Sequence, residues 1–521
     1  MDLYPLFSLL VALAPGVLML SAAGLCRGTH APGLLWPRFL TMATLALGST
    51  VLGLVMCLAQ TVPPRWPLVA GWIEAGPLTA LLAVLVQFLG TVIAAFSSRY
   101  LQGERAQPRY AFALGGVMAA VHLLLLAHHW LPLIAAWAAV GLFLQGLLCF
   151  YPDRPFALLA AHKKRLADRL ADLLLLSAAG LAWMEVGSGG LAELRLHLQA
   201  FGATAALQWS AVLLVLAVIL RTALLPVHGW LIQVMEAPTP VSALLHAGVV
   251  NLGGLVLIRF APLLDSATPA RWLLVAFGLL TAVAAGLVML TRISIKVRLA
   301  WSTVAQMGFM VLECGLGLYT LAALHLIGHS LYKAHSFLAA SSVVRQTRLA
   351  KMAQTARVAT LSLMLAPVIV GAWLAVAQSW LAAWPAWWSA ILALAWAPLM
   401  WWPQGESAGL LVRRWLAGLA MVTGLALLAW LGHHLPLGLH DQADPVSGGV
   451  ALIGMGLFYL VLASLQWRPE GLETWRRWSY AGFYVDEFYT RMALRLWPTD
   501  WARASAPASP RLTSSPLSSS T

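Results

Sequence analysis

The chain has 521 residues, of which 61% are hydrophobic and only 10% are charged, and this composition excludes an ordinary soluble domain. Lys and Arg number 32 against 19 Asp and Glu, for a net charge of +13. Since these cations lie mostly in short loops between apolar runs, we interpret the excess as membrane topology and contact with lipid head groups, and we expect no nucleic-acid partner.

Long apolar runs recur from one end of the chain to the other, which favours spanning helices over a β-barrel. The sequence predicts an all-α polytopic membrane protein with about 14–15 transmembrane helices. Fifteen candidate spans lie, in chain order, at 3–25, 36–59, 77–96, 111–127, 130–150, 169–184, 205–225, 240–261, 271–290, 298–317, 320–344, 358–380, 386–402, 411–432 and 447–466. A short amphipathic piece is predicted near 190–200.

Basic residues gather in a few clusters between these spans, and the positive-inside rule predicts that such loops are cytoplasmic. The clusters are Arg99–Arg109, Lys163 with Lys164, Arg165 and Arg169, Arg345–Arg357, and Arg476 with Arg477.

Four cysteines lie in apolar stretches without a CxxC pair, so neither a disulfide framework nor a cysteine metal site is predicted.

Charged side chains of both signs surround the start of the sixth predicted span. They form either a solvated helix end or a charge network, and the residues leave both interpretations open. The members of the possible network, together with one acid from a later loop, are Lys163, Lys164, Asp168, Arg169, Asp172 and Glu236.

A cation and a proline interrupt the apolar pattern near residue 221. Arg221 ends a long uncharged run and Pro226 follows it, which predicts a broken helix beside a polar cavity. His246 then lies within the next span. Ionisable residues inside spans are functional by default. The alternative is that Arg221 and His228 are anchors at the membrane interface.

The strongest pattern lies in the eleventh span. His325, His329 and Lys333 follow one another at intervals of four, so they form a stripe on one helix face. Titratable groups aligned in an apolar helix are what a proton relay needs. Two histidines four apart could instead bind zinc, but no third ligand follows at helical spacing, so no metal site is predicted. A structural role as interhelical hydrogen-bonding groups is the other alternative.

Two sequence runs resemble the proton-pumping antiporter-like family, which includes the largest such subunit of respiratory NADH:quinone oxidoreductase and large subunits of multisubunit sodium/proton antiporters. They are Glu236-Ala-Pro-Thr-Pro-Val-Ser-Ala-Leu-Leu-His246-Ala and His325-Leu-Ile-Gly-His329-Ser-Leu-Tyr-Lys333-Ala. The stretch Ile295-Lys-Val-Arg-Leu-Ala-Trp-Ser302-Thr-Val-Ala-Gln306 and the run Ser98-Arg-Tyr100-Leu are also similar.

The resemblance implies two inverted five-helix repeats, each with a broken helix. It divides the chain into N-terminal peripheral spans (1–75), an antiporter-like core (76–345) and C-terminal spans (346–470). An amphipathic segment (471–501) and a tail rich in Ser, Pro and Ala (502–521), predicted to be disordered, follow.

The chain also departs from the family pattern. Alanine occupies position 138, where relatives carry a membrane glutamate, and Arg221 replaces the lysine of the broken helix. A guanidinium stays protonated and does not easily give up a proton. The span 358–380 holds no lysine or glutamate, and the chain ends soon after Asp486 and Glu487, without room for a long lateral helix. These departures argue against a respiratory pump.

The chain is similar to the membrane subunits of the DAB inorganic-carbon accumulation system of prokaryotic inner membranes. That similarity implies a large soluble partner resembling a β-carbonic anhydrase, with its zinc site in the partner and no cofactor or enzymatic activity in this chain. Cation flow would drive conversion of carbon dioxide to bicarbonate. The relay residues would be His246, His325, His329 and Lys333, with Arg221 as a fixed charge that tunes them.

Two other functions stay open at this point. The chain could be a subunit of a sodium/proton antiporter, or of a respiratory or hydrogenase-type proton-pumping complex. It could also be an assembly subunit that has lost its conduction path, which Ala138 and Arg221 would explain.

Overall fold

The computed structural model describes residues 4–27, 32–59, 66–69, 71–340, 358–381, 383–468 and 472–499. In this part of the chain one antiparallel hairpin, β1 (Trp66–Val69) and β2 (Ile73–Ala75), accompanies a bundle of helices. The helices are α1 (Tyr4–Arg27), α2 (Pro32–Leu58), α3 (Pro77–Tyr100), α4 (Gln107–Leu126), α5 (Trp130–Leu148), α6 (Pro155–Val186), α7 (Leu191–Phe201), α8 (Ala205–Arg221), α9 (Gly229–Gln233), α10 (Thr239–Ala247), α11 (Leu252–Arg259), α12 (Ala261–Ser266), α13 (Thr268–Leu290), α14 (Ile295–Gly315), α15 (Tyr319–Leu338), α16 (Thr360–Leu381), α17 (Ala386–Trp396), α18 (Ala408–His433), α19 (Pro445–Trp467), α20 (Glu473–Tyr480) and α21 (Val485–Leu496).

Each of the fifteen predicted spans coincides with a helix, or with the α10 and α11 pair, and the amphipathic piece coincides with α7. Among the described residues, ten helices are long and apolar enough to cross a membrane. The other five spans correspond to shorter helices, α8 and α17, or to helices with more polar side chains, α6, α14 and α15. The prediction of an all-α multi-pass membrane protein is confirmed.

Basic residues from several elements lie at one end of the bundle. Lys296 donates from Nζ to Thr239 Oγ1 at 2.9 Å, and Thr239 Oγ1 donates to the Tyr100 hydroxyl at 3.5 Å. Arg154 donates to the backbone oxygen of Glu236 at 2.8 Å. We call this the basic end, and the positive-inside rule predicts that it is cytoplasmic. The cluster Arg345–Arg357 lies outside the described residues.

The prediction that Lys163 and Lys164 lie in a loop is wrong. The sixth span begins at Pro155, not near residue 169, so both lysines lie inside α6 and are buried. Burial is tolerated because each ammonium has a carboxylate partner. Arg165 and Arg169, spaced four apart on the opposite helix face, are exposed.

Two helices are interrupted inside the bundle. The helix α8 ends at Arg221, and an irregular segment leads to the short helix α9. The helix α10 ends at Ala247, and a single 3-10 turn, Val249–Asn251, separates it from α11. The predicted break after Arg221 is therefore present and the one between α10 and α11 was not predicted, while the inverted relationship of the two repeats stays a prediction. Irregular backbone at this depth is stable only where protein or water covers it.

The C-terminal helices fold back onto the basic end. Gly482, Phe483 and Tyr484 all have left-handed backbone angles, with φ of 64°, 55° and 58°, and they turn the chain sharply between α20 and α21. Side chains other than glycine rarely adopt this conformation, so tertiary contacts must hold the turn. The turn directs α21 against α6 and α9.

Candidate functional site

The predicted stripe on α15 faces the interior of the bundle. Lys333 is 0% exposed and His329 is buried, while the His325 side chain retains 15% of its accessible surface. A stripe on the lipid side would have been incompatible with a relay. Its interior position confirms the predicted geometry and leaves the side chains free to interact with α10 and α14.

Lys333 is held by neutral acceptors on α14. Its Nζ donates to the backbone oxygen of Leu299 at 3.0 Å and to the hydroxyl of Ser302. Among the described residues no carboxylate lies within ion-pair distance of this ammonium. A buried ammonium without a countercharge loses its proton more easily than one that is paired with a carboxylate. This setting suits a lysine that must release and regain a proton.

A second helix brings His246 to the same region. His246 is completely buried on α10, and its ring stacks on Phe337 of α15 at 4.4 Å, one turn beyond Lys333. The ring nitrogens of His246 and His329 make no hydrogen bond to the described residues. Buried polar groups of this kind are usually satisfied by water. Both imidazoles are therefore buried beside Lys333 with ring nitrogens that no described residue satisfies.

The stripe ends at an acid that sequence reasoning did not single out. His325 Nδ1 lies 2.9 Å from Glu313 Oε2 on α14, and the rings of His325 and His329 are 6.1 Å apart. Glu313 is buried within a predicted span. An acid inside a span is a functional candidate by default, so the sequence did contain a signal for it. We call the residues His246, Lys333, His329, His325 and Glu313 the Lys333 seam.

A separate cluster surrounds Arg221. Its guanidinium donates to the backbone oxygen of Trp137 at 2.7 Å, forms an ion pair with Asp172, and lies 3.9 Å from Asp168. Asp168 also accepts from Lys164 one turn earlier on α6. We call Arg221, Asp172, Asp168 and Lys164 the Arg221 cluster. It holds two cations and two carboxylates, so its formal charge sums to zero.

Several predictions about individual site residues need correction. Arg221 belongs to this cluster, where two aspartates on α6 pair with it, and its predicted tuning of the relay residues stays a prediction. Arg169 is exposed and acts on Asp172 only through its charge, and Glu236 is exposed beside Arg154, away from the predicted network. His228 is buried against Trp301 at 4.8 Å, so the interfacial-anchor alternative is wrong for both Arg221 and His228.

The structure accounts for the missing membrane glutamate at Ala138. The backbone of the adjacent Trp137 contacts Arg221, while the negative charges come from α6 instead of α5. Gly141 on α5 makes room for one of them, since a Cβ there would lie 2.7 Å from Asp168 Oδ2. The cation of the broken helix thus keeps acidic partners, although they come from another helix.

A polar cavity opens at the end of the bundle opposite the basic end. Its volume is about 580 Å³, and Arg195, Arg259, Asp265 and Tyr319 contribute to its lining. The Tyr319 hydroxyl donates to Asp265 at 2.7 Å, and burial raises the pKa of Asp265 to about 6. Tyr319 begins α15, the helix that carries the stripe. The cavity therefore lies toward the His325 end of the Lys333 seam, although no seam residue lines it.

Fold and site together define a multi-pass membrane subunit that keeps titratable side chains inside a partly broken helical bundle. Residues 127–411 match the NADH:quinone oxidoreductase/Mrp antiporter transmembrane family, so the chain belongs to that family. Its relatives include inorganic carbon transporter subunits and NADH-ubiquinone oxidoreductase subunits, and proteins of both kinds are similar to this chain over long stretches.

The chain is 37% identical over 444 residues to "Probable inorganic carbon transporter subunit DabB" from Hydrogenovibrio crunogenus, covering 82% of this chain and 84% of the relative. It is 47% identical over 296 residues to "Probable inorganic carbon transporter subunit DabB2" from Halothiobacillus neapolitanus, covering 56% of this chain and 54% of the relative. Identity to "NADH-ubiquinone oxidoreductase chain 5" of Metridium senile is 33% over 268 residues, covering 51% and 44%.

Solved structures share the fold. A chain of the Mrp complex from Dietzia sp. DQ12-45-1b superposes with a TM-score of 0.57 at 21% identity, covering 97% of this chain and 57% of that one. A chain of the archaeal membrane-bound sulfane sulfur reductase superposes with a TM-score of 0.60 at 17% identity, covering 94% and 100%. Both of these chains are parts of membrane complexes, and the superpositions show that this chain has the same fold.

Proposed function

We propose that this chain is the proton-conducting membrane subunit of an energy-coupled inorganic-carbon transporter. The observation that carries the proposal is the Lys333 seam, in which a buried lysine without a countercharge, three imidazoles and a carboxylate follow one another across the contact of α10, α14 and α15. The similarity to proteins named as inorganic carbon transporter subunits supports the choice of transported process.

Proton movement along the seam uses the chemistry of each group in turn. A neutral imidazole accepts a proton at one ring nitrogen and releases one from the other, so His246 and His329 exchange protons with Lys333 through bound water. His325 passes the proton on to Glu313, which it contacts directly. The outer cavity then provides exchange with bulk water. In this scheme Ser302 and Leu299 keep Lys333 in position in both protonation states.

The chemistry on carbon belongs to a partner in this proposal. The partner is a large, soluble, zinc-containing subunit resembling a carbonic anhydrase, and this chain supplies the coupling to the cation gradient without a cofactor or an enzymatic activity of its own. Zinc lowers the pKa of bound water to about 7, so in the partner it would supply the hydroxide that hydrates carbon dioxide near neutral pH.

Glu313→Gln should slow proton uptake by the purified complex about tenfold, because the amide keeps the shape of the His325 contact but cannot take up the proton. Uptake into proteoliposomes under an imposed potential measures the effect. The matched control is Glu193→Gln on the exposed surface of α7, which should leave uptake unchanged. Normal uptake by Glu313→Gln would show that Glu313 takes no part in proton transfer along the seam.

Co-purification tests the proposed partner directly. The tagged chain, isolated from its native membrane, should carry a large soluble subunit that contains zinc and supports growth of a carbonic-anhydrase-deficient host in ambient air when both are expressed. Companions with iron-sulfur clusters or quinone sites would instead establish a respiratory complex. Companions that are all membrane subunits, with sodium-dependent proton exchange, would establish an antiporter.

A further inference from the structure

The C-terminal helix α21 contributes an acidic side chain to the interior of the bundle. Asp486 Oδ1 accepts from Lys163 Nζ at 2.7 Å, and Asp486 Oδ2 accepts from Gln233 at 3.2 Å. The Tyr489 hydroxyl of the same helix donates to the backbone oxygen of Lys163, and the backbone oxygen of Trp497, just after the helix, contacts the ring of His162. Asp486 is therefore seated between α6 and α9.

Lys163 depends on this contact for its countercharge. Its side chain is 0% exposed, and in the described part of the chain only Asp486 lies within ion-pair distance of it. The neighbouring Lys164 differs, since Asp168 on the same helix pairs with it. The two partners of the Lys163 pair are 323 positions apart, so the pair exists only while α21 is docked.

The surrounding backbone is shaped to receive Asp486. A Cβ at Gly229, the first residue of α9, would lie 1.4 Å from Asp486 Oδ1 and 2.9 Å from Lys163 Nζ. No side chain larger than glycine fits there while the ion pair is closed. The pair thus lies between α6, α9 and α21, with the Lys163 side chain 0% and the Asp486 side chain 25% exposed, and the exposed Glu487 is beside it on the outer face of α21.

The position of this pair connects the C-terminal helix to the Arg221 cluster. Lys163 adjoins Lys164, whose ammonium contacts Asp168 of that cluster and lies 4.9 Å from the Trp230 ring. Withdrawal of Asp486 would add one uncompensated positive charge to a set that is otherwise neutral. Such a charge at the cytoplasmic end opposes the approach of a cation.

We infer that α21 is a charge clasp, in which Asp486 neutralises the buried Lys163 and transport requires the pair to be closed. Asp486 is a positioning residue, since it acts through Lys163 and not on the transported ion. The inference rests on the proposed proton conduction. It extends that proposal by making the C-terminal segment a requirement for transport, in addition to the spanning core.

The test compares charge removal on one partner with removal on both. Asp486→Asn in the full complex should reduce proton uptake into proteoliposomes about tenfold or more, because a buried charge loses its partner. Adding Lys163→Met should restore most of the uptake, since no unpaired charge remains. Glu193→Gln, which changes an exposed acid on α7, should behave like the unmodified complex.

Seating of α21 is measured separately by thiol labelling. In a background without the four native cysteines, Ala493→Cys on the buried face of α21 should react slowly with a membrane-impermeant maleimide. Asp486→Asn should accelerate the labelling about tenfold, and Lys163→Met should reverse the acceleration. Unchanged labelling in Asp486→Asn, or a double variant as impaired as the single one, would overturn the clasp. The labelling does not require conduction, so it decides the inference even if Lys333 variants transport normally and the proposed function fails.

Discussion

Replacing Lys333 with methionine is expected to abolish growth that depends on this transporter and to lower proton uptake at least about a hundredfold, the usual consequence of removing a proton donor from a transfer step. The protein should still fold, because a buried ammonium without a carboxylate partner contributes little to stability and methionine fills a similar volume. Retained amounts in the membrane, together with lost uptake, distinguish this result from misfolding.

Two further variants test whether Lys333 must release a proton, or whether a fixed positive charge or any titratable residue on this helix suffices. Lys333→Arg keeps the positive charge but cannot release a proton at physiological pH, so it should be as inactive as Lys333→Met. His335→Gln changes a histidine on the exposed face of the same helix and should transport normally. Substantial uptake by Lys333→Arg would show that a fixed cation suffices and that Lys333 does not carry the proton.

Replacing Arg221 with methionine is expected to destabilise the folded protein by about 3 to 5 kcal/mol, the cost of leaving buried charges without their partner. Asp172 would lose its ion pair and Asp168 one of its two cations, while the backbone oxygen of Trp137 would lose a donor. Thermal unfolding of the detergent-purified complex, followed by size-exclusion chromatography, measures the loss.

Combined substitutions show whether charge balance is the cause. Arg221→Met with Asp172→Asn should recover part of the stability, since the second change removes the carboxylate that the first leaves unpaired. Arg165→Gln, on the exposed face of α6, should have no effect. Equal destabilisation by the single and double variants would contradict the interpretation of the Arg221 cluster as a balanced charge set.

The order of helices was predictable because the bilayer restricts spans to long apolar runs, and each predicted span coincides with helical structure. The inward stripe on α15 was predictable for a similar reason. Helical periodicity places His325, His329 and Lys333 on one face, and burial of polar groups is compatible only with the interior.

Charge pairing between distant segments was not predictable from one sequence. Lys163 and Lys164 have the composition of a cytoplasmic loop, and only the docking of Asp486 from the far end of the chain explains why Lys163 is buried. The acidic partners of Arg221 could not be predicted, because nothing local indicates that α6 supplies its carboxylates. Glu313 was missed although it lies inside a predicted span, so an acid in an apolar helix should always be examined.

The intact Lys333 seam argues against an assembly subunit that has lost its conduction path. Ala138 and Arg221 motivated that hypothesis, but the acids on α6 balance Arg221, and the seam on α14 and α15 does not depend on either position. The hypotheses differ most clearly in whether protons cross the membrane at all.

Proton uptake by the purified complex in proteoliposomes, driven by a potassium diffusion potential and followed with an interior pH dye, tests this most directly. We expect the complex to take up protons faster than empty liposomes do, and a protonophore should abolish that difference. Glu193→Gln should leave the uptake intact, and Lys333→Met should eliminate it. Uptake no faster than in empty liposomes, or equal uptake with and without Lys333, would contradict proton conduction through the seam.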